Sequence, residues 1–228
     1  MSTFKEQING QSARHLTRRI TAEKGEVLVF DGLFGRQIHE TFYKFLRTSG
    51  GFRWIASDAP ERDIGLKWQL HLSDKAVQLP FFAGVASLVK DVTDDPPPLR
   101  EVYANFNLYG EVFRPHVDAV NGITALYCAN IEWSDRWQGE TVFYEGGEPA
   151  YVVLPRPGRL TLFDGGLIHR GSPPTRDCYE PRLNVVFKFK AAARPAPKER
   201  RRSKKPGGMT FLESEIDAAI KRTRTESR

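Results

Sequence analysis

The sequence contains few cysteines and no long apolar run. Cys128 and Cys178 are the two cysteines of 228 residues, and their spacing matches no zinc motif, so reduced thiols are expected rather than a disulfide framework. The longest apolar run, near residues 81–89, is far shorter than the roughly 18 residues that a membrane span needs. The first 20 residues carry charges where a signal peptide has its apolar stretch. These absences favour a cytoplasmic protein over a secreted or membrane-embedded one.

The composition predicts one domain followed by a basic tail. Hydrophobic residues make up 40% and charged residues 27% of the chain, which suits one sizeable core. The net charge of +6 comes entirely from residues 191–228, which hold 11 basic and 5 acidic residues, whereas residues 1–190 hold 23 of each. The tail combines a basic run at 200–205 with a predicted short amphipathic helix at 211–220. The basic run suits either a solvated linker or a contact with an anion, a nucleic acid or a targeting factor.

Hydrophobic periodicity predicts helices first and strands afterwards. Apolar spacing predicts helices at 35–48 and 75–90, the second despite Pro80, and we expect both to cover one face of a sheet. Short β-rich runs separated by turn residues follow, at 100–109, 122–130, 140–144, 150–154, 158–163 and 182–189. No helix is predicted between these runs, which argues against a parallel sheet. The prediction is a mostly β fold with flanking helices (α+β), a cupin-like antiparallel jelly roll.

Candidate metal ligands appear beside the strands. His116 and Asp118 are two residues apart, so in extended backbone their side chains share a face and converge on one point. His169 follows the turn at 164–165 and supplies a third ligand. Two histidines and one carboxylate suit a non-haem ferrous ion with three open positions. By itself the pattern is weak, because a lone histidine is more often a core or surface residue than a ligand.

Arg182 opens the last β-rich run, thirteen residues after His169. An arginine that points into a barrel is an unfavourable buried charge unless a carboxylate meets it, and no acidic residue of that run can do so. A forked salt bridge to a dicarboxylic acid would compensate the charge and hold the acid's other end near the metal. The alternative is an exposed arginine at the start of a strand.

The order of these motifs resembles the iron(II)- and 2-oxoglutarate-dependent oxygenases, over about residues 27–190. The segments that carry the resemblance are Asn107-Leu-Tyr109-Gly110, His116-Val-Asp118, Leu126-Tyr-Cys-Ala-Asn130, Trp133 to Trp137 with Gly139-Glu-Thr141, Pro157-Gly-Arg-Leu-Thr-Leu-Phe163, Ile168-His169 and Arg182-Leu-Asn184. The Gly-Glu-Thr segment and the Pro-Gly-Arg-Leu strand are similar to the prolyl-4-hydroxylase-like branch, including its free-standing bacterial members.

The resemblance implies a fold, a site and a reaction. It implies a double-stranded β-helix in which the two histidines and Asp118 bind Fe(II) and Arg182 anchors the C5 carboxylate of 2-oxoglutarate. Tyr109, Asn107 and Asn184 are assigned to the same cosubstrate site. The implied reaction consumes O2 and 2-oxoglutarate and hydroxylates a C–H bond, forming succinate and CO2. Because Asp118 stands where related halogenases have a small residue, halogenation is disfavoured.

Two positions depart from the prolyl-hydroxylase pattern. Cys128 stands where several relatives have a tyrosine that touches 2-oxoglutarate, and Gln138 replaces the first glycine of a Gly-Gly pair. The spacing of Arg182, Asn184 and Lys188 also resembles AlkB-type nucleic-acid demethylases, although Lys188 replaces an arginine of that pattern. A nucleic-acid substrate therefore stays among the alternatives.

The substrate is the least determined part of the prediction. Arg114, Trp133 and Trp137 are candidate substrate-pocket residues, because they flank the metal motif or lie in a variable segment, but core packing explains the tryptophans equally well. Pairing of Arg114 with Glu111 or Asp118 is an equal alternative to a substrate contact. A small-molecule hydroxylase acting on an amino acid or a biosynthetic intermediate is the leading hypothesis. The others are a peptidyl or nucleic-acid hydroxylase that uses the basic tail and a non-catalytic metal-binding scaffold. The sequence does not predict an oligomeric state.

Overall fold

The computed structural model describes residues 3–55, 67–72, 80–111 and 113–190, which contain three α-helices and eleven strands. The helices are α1 (Gly10–His15), α2 (Arg36–Thr48) and α3 (Pro80–Val92). The strands are β1 (Leu16–Ala22), β2 (Gly25–Phe30), β3 (Arg53–Ile55), β4 (Lys67–His71), β5 (Leu99–Asn107), β6 (Gly122–Cys128), β7 (Thr141–Glu145), β8 (Glu148–Val153), β9 (Leu160–Asp164), β10 (His169–Gly171) and β11 (Arg182–Lys190).

The strands form a large sheet and a small one. The large sheet has eight strands in the order β1-β2-β9-β6-β11-β5-β4-β3, and the small sheet has three in the order β10-β7-β8. Every pair of neighbouring strands is antiparallel. Apolar side chains of β2 and β9 pack against β7 and β8, so the small sheet faces one part of the large sheet.

Helices α2 and α3 cover the other face of the large sheet. Phe42 of α2 stacks on Phe81 of α3 with ring centroids 4.3 Å apart, and both rings belong to the core cluster that contains Phe187 of β11. Helix α3 begins at Pro80, which suits a first helical position because the missing amide hydrogen has no partner there in any case. Burial of this aromatic cluster contributes to the hydrophobic stabilisation of the fold.

The last strand, β11, lies in the centre of the large sheet between β6 and β5. Its odd-numbered residues from Leu183 to Phe189 lie in the helix-side core. Its even-numbered residues from Arg182 to Lys188 line a pocket on the opposite face. Because side chains alternate along a strand, one segment supplies both the apolar core and the polar pocket.

The structure confirms the predicted helix at 35–48, the described part of the helix predicted at 75–90 and all six predicted strands, with end shifts of a few residues, whereas residues 75–79 lie outside the described ranges. The N-terminal part departs from the expectation, because β1 and β2 form a hairpin there in addition to the helices. The signal was available in the apolar run at 27–30, which is buried on both faces and therefore lacks the alternation that marks a half-exposed strand. Strands β3, β4 and β10 were also not predicted.

The predicted tail helix and basic run lie outside the described residues. No helix within the described ranges is long and apolar enough to span a membrane.

Candidate active site

A pocket opens between the two sheets and holds about 600 Å³ of space, including its mouth. Residues of β4, β5, β6 and β11 form one wall, and residues of β7 and β10 form another. The charged and metal-binding side chains in its lining are Lys67, His116, Asp118, His169, Arg182 and Lys188. The structure thus brings the predicted metal ligands and Arg182 into a single pocket.

Backbone pairing holds the two histidines side by side. The amide of His116 donates to the carbonyl of His169 at 2.9 Å, and the amide of His169 donates back to the carbonyl of His116 at 2.9 Å. This isolated bridge joins residues that are far apart in sequence and places their rings 4.6 Å apart. The relative position of the two candidate ligands is therefore set by main-chain hydrogen bonds.

Each histidine presents Nε2 to the centre of the site. Nδ1 of His116 lies 2.8 Å from the carbonyl of Arg114, and Nδ1 of His169 lies 2.9 Å from the carbonyl of Leu167. A carbonyl only accepts, so Nδ1 carries the proton in both neutral rings and the Nε2 lone pair is available to a metal. The two Nε2 atoms each lie 3.5 Å from a carboxylate oxygen of Asp118.

These three side chains match the geometry of a metal centre. One ligand atom from each residue lies within 4.8 Å of the other two. Metal–ligand bonds of about 2.1 Å at right angles place ligand atoms roughly 3 Å apart, so a small movement brings all three onto one ion. Burial, the largest influence, lowers the pKa of His169 to about 4 and keeps its imidazole neutral, as a ligand must be. Two imidazoles and one carboxylate fit a ferrous ion with three open positions.

Asp118 has two further partners in the pocket. Its Oδ2 accepts a hydrogen bond from Thr124 Oγ1 at 2.6 Å and forms an ion pair with Lys188 Nζ. Burial raises the pKa of Asp118, but Lys188 and the two histidines outweigh burial and hold this pKa well below its usual range. Asp118 is therefore ionised, and Lys188 balances its charge.

Arg182 is 4% exposed and lies at the start of β11, opposite Asn107 of β5. Its Nη2 donates to Thr141 Oγ1 at 3.3 Å, and the amide oxygen of Asn184, in the orientation that satisfies its hydrogen bonds, accepts from the guanidinium. Within the described residues it forms no ion pair with a carboxylate. Burial lowers the pKa of Arg182 to about 10, an effect that Cys128 and Glu140 only partly offset. The guanidinium is thus a buried cation whose hydrogen-bond partners are neutral, which suits an incoming carboxylate.

The wall beside Arg182 leaves space for its side chain. Gly139 has φ +81°, and a Cβ there would lie 3.0 Å from Cζ2 of Trp133 and 3.1 Å from Cδ of Arg182. The preceding Gln138, at the position where the resemblance expects glycine, has φ 54°. This conformation is unfavourable for a residue with a side chain. Although Gln138 replaces a glycine of the pattern, its backbone therefore keeps a conformation that favours glycine.

The remaining predicted residues divide into two groups. Asn107 and Asn184 line the pocket, as expected for cosubstrate residues. Tyr109 is 62% exposed beyond the end of β5 and lines a separate depression with Gln138 and Arg170, so the structure does not bring it to the candidate metal ligands. The difference arises because β5 ends at Asn107 and the chain then turns through Gly110, with φ +86°.

The three candidate substrate residues lie away from the pocket lining. Arg114 is exposed, and its contribution to the site is the carbonyl that orients His116. Trp133 and Trp137 pack edge to face with ring centroids 5.5 Å apart, and Trp133 Nε1 donates to the carbonyl of Gln138 at 2.9 Å. In this structure the tryptophans support the loop beside Arg182.

Lys67 and Tyr103 are pocket residues that the sequence did not reveal. The ammonium of Lys67 lies 5.3 Å from the centroid of the Tyr103 ring, and Lys67 is 8% exposed. Lys67 belongs to β4, an unpredicted strand, in which it alternates with the outward-facing Trp68. The sequence signal for this strand was the alternation of the polar Lys67 and Gln69 with apolar residues. It was missed because the polar face, which forms the pocket wall, is the buried one.

Comparisons with known proteins identify the fold. No family model and no curated relative matches the sequence. Among solved structures, a prolyl-4-hydroxylase from Pseudomonas putida has a TM-score of 0.58 and 14% identity over 72% of this chain and 92% of its own. A prolyl hydroxylase from Trichoplax adhaerens, in complex with a hypoxia inducible factor peptide fragment, has a TM-score of 0.57 and 16% identity over 72% and 82%.

A third similar protein is the non-haem, alpha-ketoglutarate-dependent epimerase SnoN from nogalamycin biosynthesis. It has a TM-score of 0.55 and 15% identity over 73% of this chain and 78% of its own. A second SnoN structure, which contains Fe3+, alpha-ketoglutarate and nogalamycin RO, has a TM-score of 0.53. These likenesses confirm the predicted fold, the jelly roll of 2-oxoglutarate-dependent oxygenases.

Proposed function

We propose that the chain is an Fe(II)- and 2-oxoglutarate-dependent dioxygenase that hydroxylates a C–H bond of a small molecule, forming succinate and CO2. The observation that carries the proposal is the convergence, in one pocket, of His116, Asp118, His169 and the buried Arg182. The fold is shared with SnoN, whose structure contains iron and alpha-ketoglutarate. A shared fold does not determine chemistry, so the proposal depends mainly on the residues of the site.

Each residue has a distinct role in this proposal. His116, Asp118 and His169 would hold the iron on one face, and the bound iron would supply the activation of O2. Arg182 would fix the distal carboxylate of 2-oxoglutarate by two charge-assisted hydrogen bonds, with Asn184 and Thr141 orienting the guanidinium. Phe163 packs edge to face on His169, with ring centroids 4.6 Å apart, and keeps water from that side of the ligand.

Two observations favour a small-molecule substrate. First, the charged residues of the candidate site lie in a pocket between the sheets. Second, residues 1–190 carry equal numbers of acidic and basic side chains and so have no excess charge to attract a nucleic acid. The peptide-bound Trichoplax adhaerens enzyme shows that this fold also accommodates peptides. A peptide or nucleic-acid substrate gripped by the basic tail is therefore the alternative.

The test of the proposed function is anaerobic addition of ferrous iron and 2-oxoglutarate. We expect the weak visible charge-transfer band of the chelate, and we expect succinate release once O2 and a substrate are added. The His169→Ala variant should lose both, because two protein ligands do not hold the ion against solvent. His15→Ala is the matched control, since His15 lies outside the pocket lining. A full band and normal succinate release in His169→Ala would contradict the assignment.

The same assay separates the substrate classes. A panel of amino acids, short peptides and oligonucleotides, read as succinate release, identifies which class stimulates turnover. If the tail grips a nucleic acid, affinity for oligonucleotides should fall steeply with salt and disappear when residues 191–228 are deleted. Turnover of a small substrate that is insensitive to salt and to this deletion would support the small-molecule proposal. Absence of succinate release with every class would favour the non-catalytic scaffold.

A further inference from the structure

The pocket contains more positive than negative side chains. Arg182, Lys188 and Lys67 are cationic and at most 9% exposed, whereas Asp118 is the one carboxylate among the described residues of the lining. The Lys188 ammonium pairs with Asp118. Two buried cations, Arg182 and Lys67, are thus left without an anionic partner in the described pocket, an unfavourable arrangement in a site shielded from water.

Carboxylates near the pocket do not remove this excess. Glu101 pairs with Lys190, Glu111 accepts from Asn107 Nδ2 at 3.3 Å, and Glu140 accepts from the Ser172 hydroxyl at 2.7 Å. None of the three belongs to the pocket lining. Their charges are therefore bound outside the space that a ligand would enter.

The proposed metal and cosubstrate leave the charge balance unchanged. A ferrous ion carries two positive charges and 2-oxoglutarate carries two negative ones, so loading both adds no net charge. Arg182 gains a carboxylate partner in this process. The binding of iron to Asp118 in turn competes with Lys188. At least one excess cation of the pocket therefore still lacks an anion when the cosubstrate site is full.

Lys67 is positioned to meet that anion. It belongs to β4, two strands away from the Arg182 end of β11, and its ammonium contacts the face of the Tyr103 ring instead of a carboxylate. Burial and, secondarily, the charge of Lys188 lower the pKa of Lys67 to about 8, and the opposing charge of Asp118 offsets this only in part. A further anion in the pocket would raise this pKa again. A lysine held as a compact point charge in a pocket binds carboxylates and phosphates alike.

We propose that Lys67 binds an acidic group of the primary substrate, so that the enzyme acts on small carboxylates or phosphates in preference to neutral or cationic molecules. This inference rests on the proposed function, because the substrate shares the pocket with iron and 2-oxoglutarate. In this role Lys67 fixes the substrate by its charge, while the remaining wall residues determine which C–H bond faces the metal.

The test compares matched ligands on the anaerobic protein loaded with ferrous iron and 2-oxoglutarate. The probes are N-acetylated amino acids with their carboxamides and nucleoside monophosphates with their nucleosides, and binding is measured by calorimetry. We expect acids of one of these two series to bind at least tenfold more tightly than their neutral partners. In Lys67→Met that preference should disappear, while the charge-transfer band and the 2-oxoglutarate affinity stay unchanged.

Lys190→Met is the matched control, because it removes the same charge from an exposed lysine outside the pocket. It should retain the preference for acids. Equal binding of acids by Lys67→Met and the unchanged protein would overturn the inference, as would tightest binding of a neutral or cationic probe. A tenfold loss of 2-oxoglutarate affinity in Lys67→Met would instead place Lys67 at the cosubstrate. If the unchanged protein shows no chelate band, the proposed function itself fails.

Discussion

The two faces of β11 are buried to the same extent but differ in chemistry. On the helix side, Leu183, Val185 and Phe187 are fully buried among apolar neighbours. On the pocket side, Arg182 and Lys188 are 4% and 9% exposed and face other polar groups. Apolar burial stabilises the fold, whereas burial of charges without full compensation destabilises it. Stability therefore does not explain the charges of the pocket face, which fit the ligand binding that we propose.

The comparison predicts opposite effects for substitutions on the two faces of β11. The largest effect is expected for Phe187→Ala. This substitution removes a ring whose centroid lies 5.6 Å from that of Phe82 and 6.1 Å from that of Phe81. The free energy of unfolding, measured by urea denaturation, should fall by about 3–5 kcal/mol. Phe45→Ala on the exposed side of α2 is the control and should lose much less. Similar losses for both variants would contradict the role of the helix-side core.

The next largest effect is expected on the binding of 2-oxoglutarate rather than on the stability of the fold. Arg182→Lys keeps the positive charge but loses the planar fork, so the apparent KM for 2-oxoglutarate should rise about tenfold or more, equivalent to at least ~1.4 kcal/mol. The exposed Arg176→Lys is the matched control and should leave this KM unchanged. An unaltered KM in Arg182→Lys, and also in Arg182→Ala, would show that the cosubstrate is anchored elsewhere.

The smallest expected effect tests whether the buried cation on the pocket face of β11 lowers the free energy of unfolding. Arg182→Met replaces a buried cation by an apolar side chain of similar length, so the metal-free protein should gain about 1 kcal/mol in the free energy of unfolding. The same variant should lose 2-oxoglutarate binding, measured by calorimetry. A less stable Arg182→Met protein would mean that the hydrogen bonds to Thr141 and Asn184 compensate the buried charge fully.

The sequence predicted the parts of the structure that depend on local pattern. Six of the seven strands from β5 onward follow from β-rich runs between turn residues, and the convergence of His116 with Asp118 follows from their spacing within extended backbone. The pairing of His116 with His169 depends on a backbone bridge between distant segments, which no local pattern encodes. Lys67 was missed for a related reason, because its role depends on the position of β4 next to β5 in the sheet.

Tyr109 illustrates the limit of transferring a motif. The Asn107-x-Tyr109 pattern predicts two side chains on one face of a strand, but β5 ends at Asn107, so the alternation that would carry Tyr109 into the pocket stops there. Trp133 and Trp137 were predicted as substrate-pocket candidates, with core packing as the alternative. Their packing on each other and beside Gly139 was decided by a turn whose conformation the sequence did not reveal.

The ion pair between Lys188 and Asp118 has a consequence for the order of events during biogenesis. The ionised Asp118 carboxylate needs a cation to balance its charge when it is buried, and the Lys188 ammonium of the same chain supplies it. The chain can therefore complete its folding before it meets a metal, unlike small zinc domains that remain unfolded until the ion arrives. Binding of the proposed iron would then be an exchange at a finished site, in which the ion would take the place of Lys188 on Asp118.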